Sequence, residues 1–229
     1  MKKIPYKILS VGGSIIIPKE GFDIEFLKNF RALILAEVNK GQRFILVIGG
    51  GATCRAYQSA AGQVVPLTNI ELDQLGIYTT HFNAEFVRLL FGAVAHAEIV
   101  KNPTKKIKTA KAVIIGAGWK PGCSTDNDAV LLAKNFGAKE VINLSNIDYV
   151  YDSDPKLNPG AKKLEQVSWK QLRQIVGSKW TPGANVPFDP SAAKLAEKLR
   201  LKVSFVKGTD LSEVAKVIRG QECRGTVIC

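Results

Sequence analysis

The sequence has only two histidines, His81 and His96, and its four cysteines never pair as C-x-x-C. Cys54, Cys123, Cys223 and Cys229 are scattered, so neither a zinc cage nor a disulfide framework is expected. Long hydrophobic runs are also missing. The apolar stretches 44–48 and 112–115 have strand length and lead into glycine, far short of the roughly 20 residues that cross a bilayer. Met1-Lys2-Lys3-Ile4-Pro5 carries no apolar signal core. A cytoplasmic protein with no membrane partner is the expectation. Acidic residues are outnumbered 20 to 32 by lysine and arginine, and a net charge of +12 calls for an anionic partner, either a small phosphorylated molecule or a polyanion. Five of the lysines crowd into 101–111, where no aromatic residue is interleaved to stack on bases. That segment reads as a solvated loop, and a nucleic-acid partner is not expected.

What is present is an ordinary globular composition, 46% hydrophobic, with enough residues for one domain or for two lobes on one sheet. Apolar runs of strand length alternate with helical periodicity, the pattern of a mostly parallel sheet covered by helices. Strands are expected over 6–11, 44–48, 112–115, 140–144, 202–206 and 226–228. Helices are expected from the Asp23 cap to Gly41, after Gly51, and over 70–91, 126–136, 191–199 and 211–218.

Three glycine-rich turns follow predicted strands: Gly12-Gly13-Ser14, Gly49-Gly50-Gly51, and Gly116-Ala117-Gly118 running on to Gly122. Ligands of open α/β sheets bind at such strand ends, and glycine lets backbone N–H groups approach phosphate oxygens. Two familiar phosphate motifs are absent. No G-x-x-x-x-G-K-[ST] occurs, and a dinucleotide fingerprint beginning at Gly116 meets Pro121 where its third glycine belongs. Arg55, four residues past the triple glycine, could grip a phosphate bidentately or be a surface arginine. Ser124-Thr125-Asp126 and Asp189-Pro190 each read as helix caps.

The order of these motifs is similar to that of the amino acid kinase family. Val11-Gly12-Gly13-Ser14, Gly49-Gly50-Gly51 with Arg55, Asp73-Gln74-Leu75-Gly76-Ile77 with Asn83-Ala84, Pro121 to Asp126, Asn146-Ile147-Asp148 with Val150-Tyr151 and Asp154-Pro155, Asp189-Pro190-Ser191-Ala192-Ala193, and Gly225 to Ile228 together resemble its archaeal, UMP-phosphorylating branch along nearly the whole chain. The resemblance implies an αβα sandwich of three layers, with an acceptor lobe over about 1–122 and an ATP lobe over about 123–229. It also implies transfer of the γ-phosphoryl of Mg²⁺-ATP to UMP by a homo-oligomer, with a hexamer as the family pattern. Carried over by position, Gly50, Gly51 and Arg55 hold the acceptor phosphate, Asp73 the acceptor ribose, and Thr125 the acceptor phosphate region. Gly12, Gly13 and Ser14 face the transferred phosphoryl, Asp189 orders the catalytic centre, and Asn146, Tyr151 and Asp154 surround the ATP base and ribose.

Three positions depart from the family pattern. Ser10 stands where many members carry a lysine that neutralises the transferred phosphoryl, His81 where archaeal sequences place arginine, and Tyr149 where glycine is usual. Lys120 and Lys207 are candidates to supply the missing charge. Within the fold, a kinase for isopentenyl phosphate or an amino acid is an alternative, and a nucleotide or oxyanion binder without turnover is another. Arg55 and Asp73 together favour a nucleoside monophosphate.

Overall fold

The computed structural model describes residues 4–155, 157–177 and 186–229. One sheet of seven strands organises them. In chain order the strands are β1 (Tyr6–Val11), β2 (Arg43–Ile48), β3 (Val113–Gly116), β4 (Glu140–Ser145), β7 (Gln166–Val167), β8 (Lys202–Lys207) and β9 (Thr226–Ile228), and β5 (Val150–Tyr151) with β6 (Lys163–Leu164) forms a separate two-stranded ribbon. The spatial order is β3-β2-β1-β4-β8-β9-β7. The first five run parallel, and β8–β9 is the antiparallel step.

The strands are continuous apolar runs because both of their faces are covered. Successive side chains point to opposite faces, so Ile8 and Leu9 enter different cores, yet both are fully buried. One face packs on α5 (Thr125–Phe136), α6 (Trp169–Val176) and α7 (Pro190–Lys198). The other packs on α2 (Ile24–Asn39), α4 (Asn69–Phe91) and α8 (Leu211–Ile218). The result is the expected three-layer αβα sandwich. Short α1 (Gly13–Ile16) and longer α3 (Gly51–Val64) complete the helices that matter for the site.

Local chemistry sets the helix bounds. Asp23 caps α2 by accepting from the Phe26 N–H, Ser124 caps α5 through Asn127, and Thr68 with Glu71 forms a capping box on α4. Helix α6 was not expected from the sequence, although Ser168 and Gln171 form a second capping box in front of it. The strand order reverses between β1 and β4. That is the switch point at which the carboxyl ends of an open sheet leave a crevice.

Candidate functional site

The crevice is built from turns that touch backbone to backbone. Val11 O accepts from the Gly49 N–H at 3.0 Å, and Leu144 O accepts from the Gly12 N–H at 2.9 Å, so the ends of β1, β2 and β4 are locked together. A Cβ on Gly13 would lie 2.0 Å from the Gly51 nitrogen, and Gly51 itself has φ +64°, so both positions require glycine. Helix α3 starts here without a side-chain cap, which turns a helix N-terminus toward the crevice.

Helix α4 fixes the turns to one another. Its Asn83 amide donates to Gly49 O at 3.0 Å and to Gly50 O at 2.9 Å. One turn of helix earlier, Thr80 Oγ1 accepts from the Gly118 N–H at 2.9 Å. His81 Nε2 donates to Gly118 O at 2.8 Å, and Asp73 Oδ2 accepts from the Gly122 N–H at 2.7 Å. A helix brings residues three and four apart onto one face, so a single element buttresses the second and third glycine turns. His81 thus works here as a hydrogen-bonding tie. Burial, with Lys101 adding to it, holds its pKa below the ordinary imidazole value, which keeps it neutral with the proton on Nε2.

The cavity enclosed has a volume of about 500 Å³. It gathers Gly13, Ser14, Gly50, Gly51, Arg55 and Asp73 of the sequence-derived candidates, together with Thr125 and Asn146. Arg55 is exposed at its rim and has no carboxylate partner among the described residues. A second cavity of about 200 Å³ collects Tyr151 and Asp154, with Ile147, Ile175, Val186 and Pro187 as apolar walls. Asn146 belongs to both cavities and is their common wall. Gly12 and Asp189 line neither cavity; Gly12 forms the turn behind, and Asp189 is buried.

Beneath the turns lies a group of carboxylates that sequence reasoning did not assemble. Asp126 Oδ1 accepts from Ser10 Oγ at 2.8 Å and from Asn143 Nδ2 at 2.9 Å, and its Oδ2 accepts from the Asp189 N–H at 3.4 Å. One carboxylate therefore joins β1, β4 and the start of α7. Ser10, where the family pattern has lysine, contributes a hydrogen bond and no charge. Asp128 is fully buried, and its Oδ2 accepts from the Trp119 N–H at 3.1 Å. Its Oδ1 and the Oδ2 of Asp189 are buried without a hydrogen-bonding partner among the described residues. Lys120 rests over the Trp119 ring at 4.2 Å, and its charge lowers the pKa of Asp128 slightly. Lys207 is exposed at the end of β8. Among the described residues no group of three histidine, cysteine or carboxylate side chains is arranged to hold a metal ion.

Burial is the main force on these carboxyls. It raises Asp126 to about 6 and Asp128 to about 8, and Asp189 nearby adds to both. A folded carboxyl that keeps its proton to about pH 8, when the unfolded one loses it near 4, binds more protons than the unfolded chain across that window. Stability must therefore fall as pH rises, by up to about 1.4 kcal/mol per pH unit for each such group. Asp128→Asn carries no proton to lose and keeps an oxygen for the Trp119 N–H. Thermal melts between about pH 6 and 8, above the range that Asp126 dominates, should show a flatter decline than the parent chain. Parallel curves would mean that Asp128 does not titrate there.

An open, mostly parallel sheet whose glycine turns, helix N-terminus and Arg55 converge on one cavity, with a second adjoining it at Asn146, defines an α/β protein built for phosphorylated small molecules. The profile of the amino acid kinase family matches residues 5–207, and the chain belongs to that family. It is 32% identical to the uridylate kinase of Pyrococcus abyssi and 33% identical to that of Thermococcus kodakarensis, in each case over 96% of this chain and 98% of the relative. The crystal structure of uridylate kinase from Archaeoglobus fulgidus superimposes with a TM-score of 0.82 at 30% identity, covering 98% of this chain and all of the other. UMP kinase from Bacillus anthracis, at 20% identity and a TM-score of 0.76, shares the fold.

Proposed function

We propose that the chain transfers the γ-phosphoryl group of ATP to the phosphate of UMP, yielding UDP and ADP for pyrimidine nucleotide synthesis. The observation that carries the reading is the pair of cavities meeting at Asn146, with the Gly13 and Gly51 turns packed together in the wall of the larger one. Two phosphorylated substrates entering from opposite sides would bring their phosphates to the glycine turns.

In this reading Gly50, Gly51 and Arg55 hold the UMP phosphate, with Thr125 on its other side and Asp73 at the ribose. Gly12, Gly13 and Ser14 face the group in transfer. Asn146, Tyr151 and Asp154 hold the ATP base and ribose, and the apolar walls of the smaller cavity would cover the ring. The acceptor phosphate is already an anion at neutral pH, so no base is needed, and the rate depends on alignment and on neutralising charge. Mg²⁺ bound to the ATP phosphates would supply part of that neutralisation. The uncapped start of α3 and Arg55 supply more. The lobe division follows from this assignment, with about 1–122 serving the acceptor and about 123–229 serving ATP. Cytoplasmic location and a homo-oligomer, hexameric on the family pattern, complete the proposal. Tyr78, Phe82 and Leu89 form one exposed stripe on α4, in support of self-association; sedimentation as a monomer would remove that part.

The test is ADP release with UMP, CMP, AMP, isopentenyl phosphate and acetylglutamate in parallel. UMP should be turned over best, and robust turnover of another acceptor without UMP turnover would reassign the site. Arg55→Ala should weaken UMP binding by about 1.5–3 kcal/mol, the worth of a charge-assisted hydrogen bond, with ATP binding nearly unchanged. Unaltered UMP affinity by calorimetry would make Arg55 a surface residue.

A further inference from the structure

The third glycine turn is held between two helices. From α4, Thr80 and His81 bond the N–H and the carbonyl of Gly118, and Asp73 takes the Gly122 N–H at 2.7 Å. From α5 comes Asp128, whose Oδ2 accepts from the Trp119 N–H at 3.1 Å. That bond reaches back nine residues and closes the turn onto the helix. Inside the closed loop the Cys123 N–H donates to Lys120 O at 3.2 Å, and Cys123, Ser124 and Thr125 line the larger cavity. Asp128 does not line it. The place of this wall on α5 therefore depends on a carboxyl that lies behind it.

A carboxyl is a costly group for the position. Asp128 is fully buried, and its Oδ1 has no hydrogen-bonding partner among the described residues. An apolar side chain would fill the same buried face of α5 as Val130 and Leu132 do, without that cost. It could not accept the Trp119 N–H. The charges that act on Asp128 are those of Asp189 at the start of α7, Asp126 on its own helix and Lys120 in the turn, and Cys123 feels its charge in return. Strands β1, β2 and β4 also pack on α5, but their charged residues Lys7, Arg43 and Glu140 stand at the opening ends, away from the turns.

We propose that Asp128 is a positioning residue for the acceptor, whose buried carboxyl pins the third glycine turn to α5 and so sets acceptor affinity. The inference rests on the larger cavity being the acceptor site. It gives Asp128 a role apart from the catalytic centre, because the wall it holds faces the acceptor and not the smaller cavity. The pin also depends on protonation. Burial raises the carboxyl to about 8, so the docked turn holds the proton more tightly than a detached one would. Docking is favoured below that pH and loses its advantage as pH rises through it, when a third negative charge appears beside Asp126 and Asp189.

The test is steady-state kinetics of Asp128→Leu and Asp128→Asn. Leucine removes the acceptor oxygen, and the KM for UMP should rise roughly 5- to 30-fold, the worth of one buried hydrogen bond, while kcat and the KM for ATP stay near the parent values. Asparagine keeps an oxygen for the Trp119 N–H and should restore the parent KM at pH 7. Between about pH 7 and 9 the parent KM for UMP should climb several-fold, by at most about tenfold per pH unit, and that of Asp128→Asn should stay flat. A parent-like KM in Asp128→Leu, equal rises for UMP and ATP, or no rescue by asparagine would overturn the proposal. So would parallel pH profiles for the parent and Asp128→Asn, a comparison that holds even where the leucine variant does not fold. A parent chain that turns over no UMP defeats the acceptor reading and this one together, whereas parent turnover matched by Asp128→Leu defeats this one alone.

Discussion

Asp189→Asn should leave a folded chain with near-normal nucleotide affinity and a kcat lowered by roughly 10²-fold or more, because an organiser of electrostatic stabilisation is lost. The two oxygens of Asp189 are used differently. Oδ1 accepts from the Ala192 N–H at 2.7 Å and from Ser191 Oγ, which makes it the cap of α7. Asparagine caps about as well as aspartate, so that half of the role survives. Oδ2 is buried and has no hydrogen-bonding partner among the described residues, a costly state that a purely structural cap would not need. The Asp189 N–H also donates to Asp126, which binds Ser10 two residues before the first glycine turn. Asp189 lines neither cavity, so it would act by setting charge and position beneath the turns, without touching either substrate. A positioning role predicts that kcat falls while the KM values for UMP and ATP hold. A variant that retains most of its kcat would reduce Asp189 to a cap.

Much of the frame was legible because it is local. The strands are uninterrupted apolar runs ending at glycine, and the caps Asp23 and Ser124 sit where their side chains predict. Helix α4, expected over 70–91, starts one residue earlier at Asn69, behind the Thr68–Glu71 capping box. Helix α6 escaped notice although Ser168 and Gln171 mark its start, since only eight residues of periodicity follow. Strands β5, β6 and β7 are two residues each and hold no readable period.

The site divides along the same line. The glycine turns, Arg55 and Asp73 stand out as residue types at strand ends. The supports do not, because each joins distant segments: Asn83 reaches back 34 residues to Gly49, and Asp126 meets Ser10 across 116. Asp126 looks like the second residue of an ordinary helix start until the sheet brings Ser10 and Asn143 to it. The lysine-rich segment was read as a solvated loop, and its lysines are indeed exposed. What composition could not reveal is that Asn135, from another helix, holds its backbone in place.

Gly13→Ala should be among the most damaging single methyl groups that could be added to the described residues. The new Cβ would stand 2.0 Å from the Gly51 nitrogen and 2.6 Å from both Gly49 C and Gly51 Cα, all of them backbone atoms that no rotamer change can move aside. One turn must shift, and each is tied elsewhere: Ile17 donates to Gly13 O at 2.8 Å, and the Ala52 N–H donates to Ile17 O at 3.1 Å. Overpacking of this kind costs about 1–3 kcal/mol, which for a chain of this size lowers Tm by roughly 2–12 °C. The kinetic effect should be larger than the thermal one. The displaced backbone belongs to the glycine turns of the larger cavity, where both phosphates are proposed to meet, and misplacement of reacting groups by about 1 Å costs on the order of 10²-fold. An expected kcat/KM for UMP at least about 100-fold below the parent follows, in protein that still melts cooperatively. Gly62→Ala is the matched control. Gly62 lies inside α3 with open space around its Cα, so alanine there should raise stability by roughly 0.5–1 kcal/mol through helix propensity and leave turnover intact. Parent-like kcat/KM and Tm in Gly13→Ala would mean that the two turns are not packed as described, and they would lose their place as the point of transfer.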